Sequence, residues 1–182
     1  MAVGDALRRF GIRAVLSGGA CASLHSGGIY QSQDADFVIV GKCTVTELDD
    51  AMASVGFRRE QSRYVRDGIR FFVEFPAGPL GIGQDFQITP VWRSMRGARM
   101  LTLSATDSCR DRLAAFYHWK DRQALTAAVA IALRHRVRMK RIREWSGEED
   151  SATEFDLFRS ELELARAKVP ASRRRKNPRA GD

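Results

Sequence analysis

The sequence predicts an α+β domain: a small mixed β-sheet flanked by helices over residues 1–105, then helices packed on it over residues 106–169, then a disordered basic tail over residues 170–182. Two observations carry this. Short apolar runs rich in β-branched and aromatic residues, separated by glycine and proline, fill the first part. From Thr106 onward the pattern turns helical, and strands and helices do not alternate as a regular βαβ series. At 182 residues, 44% of them hydrophobic and 29% charged, the chain can bury a core of its own.

In chain order, residues 5–10 read as a short helix stopped near Gly11, and 13–16 as a brief strand. Gly18 and Gly19 break that strand; residues 20–25 restart as helix until Gly27 and Gly28. Residues 37–40 form a continuous apolar run, the mark of a buried strand. Thr46 reads as the N-cap of a helix over 47–55, with acids in its first turn. Residues 63–65 and 69–75 flank Asp67-Gly68, a hairpin signal. Residues 76–83 read as loop and 100–103 as the last strand. Helices are expected over 107–118, 121–145 and 149–169, with Gly147 separating the last two and Pro170 ending the third. The tail, ASRRRKNPRAGD, has almost no apolar content.

Three features carry chemistry. Gly18-Gly19 lies between a strand and a helix, where a phosphate can approach the backbone and helix-start N–H groups; alone, such a pair is only a turn. Ser32, Asp34 and Asp36 alternate along the incoming strand and share one face. Two carboxylates side by side repel unless a cation lies between them; the plainer reading is a hydrated strand end with an Asx turn. Glu74 sits inside the aromatic run FFVEF. It either faces water on an outer sheet face or, if its strand pairs beside residues 37–40, joins Asp34 and Asp36. Three carboxylates around one spot suit hard divalent cations that also bind phosphate oxygens.

Net charge is +8, unevenly spread: residues 134–143 hold six basic side chains and no acid, residues 173–179 hold five, and setting these eleven aside leaves −3. Localised basicity suits a polyanionic partner. On one continuous helix, Arg134, Arg138 and Arg141 would share a face; the plain reading is a solvated face of a long helix, and the lack of interleaved acids favours contact with nucleic-acid phosphates. Cys21, Cys43 and Cys109 make neither a disulfide framework nor a zinc site, and a cytoplasmic location is expected. The N-terminus does not read as a signal peptide, and the apolar run at 124–133 is too short to span a membrane. His25, His118 and His135 match no metal-ligand spacing; Trp92, Trp119 and Trp145 are expected in the core or at helix contacts.

The stretch GGACASLHSGGIYQSQDADFVIV resembles the signature of minimal nucleotidyltransferases of the DNA polymerase β superfamily: a Gly-Gly or Gly-Ser turn, a helix, then Asp-x-Asp opening a strand, with a third acid later. Downstream, TDSCRDRLAAFYHWKDRQALTAAVAIA is similar to the helix after the sheet in AbiEii-like nucleotidyltransferases, known chiefly as toxins of abortive-infection and toxin–antitoxin systems. Together the matches span residues 13–133. The resemblance implies a nucleotidyltransferase-like sheet and transfer of a nucleoside monophosphate from NTP to an RNA, tRNA among the candidates, or to a protein hydroxyl. It implies magnesium, or manganese in its place, on Asp34, Asp36 and Glu74 as catalytic acids. It implies nucleotide contacts from Ser17, Gly18, Gly19, Ser32 and Lys120, and an antitoxin protein as a partner. The alternative is a catalytically inactive protein of the same fold that binds nucleic acid or a partner protein. The chain departs from many relatives in lacking a basic residue near Tyr30 and in having Glu as its third acid.

Overall fold

The structure is a computed structural model and describes residues 1–168. The basic run at 173–179, the tail at 170–182 and Pro170 lie outside the described residues.

The first half supplies α1 (Ala2–Arg9), β1 (Ala14–Leu16), α2 (Gly18–Ser26), β2 (Asp34–Ile39), α3 (Val45–Ala53), β3 (Arg58–Glu60), β4 (Arg63–Val65), β5 (Phe72–Glu74), β6 (Val91–Met95) and β7 (Ala98–Thr102). The strands form one seven-stranded mixed sheet in the order β3-β4-β5-β2-β1-β7-β6. β1 lies antiparallel to β2 and parallel to β7, and β2 lies parallel to β5. The expected hairpin forms between β4 and β5, but its arms pair only from Arg63↔Glu74 to Tyr64↔Val73, so residues 66–71 remain loop. β3 and β6 are strands that the sequence did not announce: RRE carries no apolar signal, and VWRSM is an exposed edge. Thr44, not Thr46, caps α3, because Glu47 then falls at the third helical position and closes a capping box with it.

The second half supplies α4 (Ala105–Trp119), α5 (Arg122–Arg134), α6 (Met139–Glu148) and α7 (Ala152–Lys168). The single helix expected over 121–145 is therefore two. His135 leaves the helical region (φ −121°, ψ 150°), its Nε2 bonds the carbonyl of His25, and the Arg138 N–H donates to Thr106 Oγ1. Thr106 on α4 thus takes over the Arg138 N–H that a continuous helix would have satisfied, while α2 anchors the His135 ring. Gly147 lies inside α6; the turn into α7 comes at Asp150, with φ 52°.

One buried cluster joins the halves, from Val15, Phe37, Val73 and Leu103 in the sheet region to Leu113, Ile131, Trp145 and Phe158 in the helices. α1 packs on β1, β7 and α3, whereas α2 packs on β2, α4 and α5. Trp145 is core, but Trp92 and Trp119 are exposed. Among the described residues no helix is long and apolar enough to cross a membrane.

Candidate functional site

The site grows from the β1–α2 corner. Ser17 ends the strand with extended backbone; its N–H and hydroxyl both donate to the Asp36 carbonyl, at 2.9 and 3.3 Å. That ties the first helical turn to the middle of β2. Gly18 follows with φ +59°, and a Cβ there would strike the Asp36 carboxylate. Gly19 is pressed as closely: a Cβ on it would come within 2.5 Å of Ser32 Oγ and 3.2 Å of the Tyr30 hydroxyl. The glycine pair thus lets the helix start against a carboxylate and a hydroxyl that side chains would displace.

On β2, Asp34 and Asp36 face the same way, and Ser32 Oγ donates to Asp34 Oδ1 at 2.5 Å. Ser32 is itself held, its N–H donating to Ser23 Oγ at 3.1 Å. The β2–β5 register sets Asp34 beside Phe72 and Asp36 beside Glu74. The structure thus puts all three acids on neighbouring strands, with Glu74 on the aspartate side of the sheet. The Asp36 carboxyl is pushed up to about 6, first by burial and then by Asp34, Glu74 and Asp111; Arg112 opposes the rise. Among the described residues, no three His, Cys, Asp or Glu side chains are arranged to hold one metal ion as they stand. The donor chemistry nevertheless fits a hard divalent cation: all-oxygen ligands, like charges crowded together, and a carboxyl that leans toward the proton where no cation is present.

Asp111 and Arg112 complete the group from α4. Arg112 binds Asp111 at 2.8 Å, and the two side chains are only 15% and 19% exposed. Burial works against the Arg112 charge, but Asp111, Tyr30 and Asp36 outweigh it and raise its pKa. The basic residue that the sequence lacks near Tyr30 is thus supplied in space by the helical half. No local signal marks it: an Asp-Arg pair in the middle of a helix reads as an ordinary solvated pair.

The other expected residues are not drawn in. Lys120 lies eight residues beyond Arg112, about 12 Å along the helix axis, and its ammonium is held by Glu154 at 2.7 Å. Arg134, Arg138 and Arg141 do not share a helix face: Arg134 ends α5 against Gly27, Arg138 caps α6, and Arg141 lies within α6. Arg141 reaches Asp85 and Asp107 at 3.4 and 3.8 Å, so acids distant in sequence neutralise it.

No protein-family model matches the sequence, and no curated protein matches it. Among solved structures, an antigenic nucleotidyltransferase-like protein from Paracoccidioides brasiliensis is similar at 21% identity and a TM-score of 0.52, covering 69% of this chain and 68% of that one. The antibiotic-resistance factor ANT(2'')-Ia aligns at 11% identity and a TM-score of 0.49 over 91% of this chain and 92% of its own. Its complex with adenylyl-2''-tobramycin aligns at 13% and 0.44 over 87% and 94%. The acid-bearing sheet and the helices after it thus make up a nucleotidyltransferase-like fold.

Proposed function

We propose that the protein transfers a nucleoside monophosphate from an NTP to an acceptor hydroxyl. The acceptor oxygen forms a bond to the α-phosphorus, the bond from that phosphorus to pyrophosphate breaks, and Glu74 takes the hydroxyl proton. The carrying observation is the register that sets Asp36 beside Glu74, with Asp34 two residues away and Gly18 pressed on the Asp36 carboxylate. Asp34 and Asp36 would hold magnesium or manganese, with Glu74 as the third acid. The ion supplies charge neutralisation for the phosphates when bound.

Within this reading, Ser32 orients Asp34, the backbone at Gly18 and Gly19 leaves room for phosphates, and Arg112 receives part of the triphosphate charge in exchange for its contact with Asp111. Arg138 remains a candidate nucleic-acid contact, together with Arg134. Membership of the AbiEii-like toxins and an antitoxin partner belong to the same proposal and rest on the sequence resemblance; a cytoplasmic setting is proposed with them and rests on the scattered cysteines. The test is incubation with labelled NTPs, magnesium and total RNA or a protein acceptor, wild type against Asp36→Ala. Equal labelling by the two removes this mechanism.

A second reading, nucleotide or nucleic-acid binding without turnover, is favoured by one observation: the acids are not gathered into a three-ligand set among the described residues. Binding of Mg·NTP with no transfer to any acceptor would select it.

A further inference from the structure

Arg63 is the next residue outward in the row that holds the acids. On β4 it is the partner of Glu74, which on β5 is the partner of Asp36. Partners across adjacent strands share a sheet face, and an Arg opposite a Glu ordinarily meets it. Here it does not. The ion pairs at this edge of the sheet belong to Arg58 and Arg59 of β3, and among the described residues no carboxylate lies within ion-pair distance of Arg63. Its guanidinium lies instead over the Phe72 ring, 5.2 Å from the centroid. Phe72 is half-buried and stands in the register beside Asp34. Arg70, exposed, precedes it at the end of the loop and likewise has no ion-pair partner among the described residues. The Arg63 guanidinium thus lies over a ring of the strand that carries Glu74, from a backbone position one strand, about 5 Å, beyond that acid.

We infer that Arg63 and Phe72 form a platform for one nucleotide unit of a single-stranded nucleic acid, the acceptor in the transfer proposed above, on which reading this inference rests. A ring and a guanidinium plane give stacking surface to any base, and the surplus charge of Arg63 and Arg70 answers the phosphates. A single strand fits because its bases are free to stack on protein, whereas a duplex keeps them paired. A protein acceptor needs neither element.

The experiment measures binding of a fluorescein-labelled, mixed-sequence 12-nucleotide single-stranded RNA by anisotropy across a salt series, with Mg·NTP binding measured separately by calorimetry. Wild type, Arg63→Gln and Phe72→Leu are compared, and thermal melts verify folding. Phe72→Leu is expected to weaken oligomer binding about tenfold. Arg63→Gln is expected to weaken it and lower the log–log salt slope by about 0.7, the share of one phosphate on a single strand. Both variants keep Mg·NTP binding. Unchanged oligomer affinity in a folded Arg63→Gln protein overturns the platform and leaves the transfer reading intact. So does a result in which the variants impair labelling of a protein acceptor and not of RNA. Absent Mg·NTP binding by the wild type defeats the transfer reading instead, and oligomer binding still judges the platform.

Discussion

Replacing Asp36 by Asn should stabilise the metal-free protein while abolishing transfer. Asp36 is buried first of all, and then crowded by Asp34, Glu74 and Asp111, so its carboxyl is moved from the ordinary 3.8 to about 6. That difference is a preference for the proton of about 3 kcal/mol. Asp36 is half-buried rather than enclosed, and solvent screening reduces the figure to about 1–2 kcal/mol. The sign follows from linkage: the folded carboxyl holds its proton more tightly than the unfolded one, so the folded wild type is penalised where Asp36 is ionised. The penalty is complete above about pH 6, fades as pH falls toward 3.8, and vanishes below that. Asn keeps the shape and carries no charge at any pH. In chelator-treated protein at pH 8, Asp36→Asn should melt about 2–8 °C above the wild type, with the gap closing by pH 4. Magnesium should narrow the gap at pH 8 by stabilising the wild type alone. A variant that melts at or below the wild type at pH 8, or a gap that ignores pH, would refute the electrostatic reading of the site.

Gly18→Ala should lose both stability and transfer, since a left-handed residue gains a Cβ that strikes Asp36; Gly28→Ala, left-handed with open space, should cost only about 1 kcal/mol by urea denaturation. Arg110→Ala should cost about 3–5 kcal/mol, because the buried guanidinium holds Asp85 at 2.6 Å and Asp107 at 3.0 Å, and its loss leaves two carboxylates short of a partner. Arg138→Ala should reduce the salt slope of nucleic-acid binding at unchanged stability. Arg141→Ala should instead lower stability by about 1 kcal/mol or less, as a part-exposed member of the Asp85–Asp107 group.

What could be read from the chain was what is local in it. Alternation on β2 places Asp34 and Asp36 on one face whatever the sheet does, and the Gly-Gly break before α2 follows from backbone freedom alone. Whether Glu74 faced water or the aspartates depended on which strand β5 would pair with, and no residue near Phe72 states that β2 is the neighbour. Arg112 is a sharper case. Its place near Asp36 turns on α4 packing against α2, a placement set by the shared core of Leu113, Cys21 and Leu103 rather than by anything in the string around it. The basic segment differs for the opposite reason: its composition is visible in the chain, but its continuity as one helix is not. A run such as RHRVRMKR stays helical only if nothing better takes its backbone groups; Thr106 takes the Arg138 N–H, and the His25 carbonyl anchors the His135 ring at the break. The six like charges are then split between two helices and their junction, and one of them is turned onto buried acids. Charge counted along a sequence therefore overstates a binding face wherever tertiary hydrogen bonds break the helix that carries it. Here, among the described residues, Arg63 stands in register with Glu74 of the candidate site and has no carboxylate within ion-pair distance, although it lies far in sequence from the basic run.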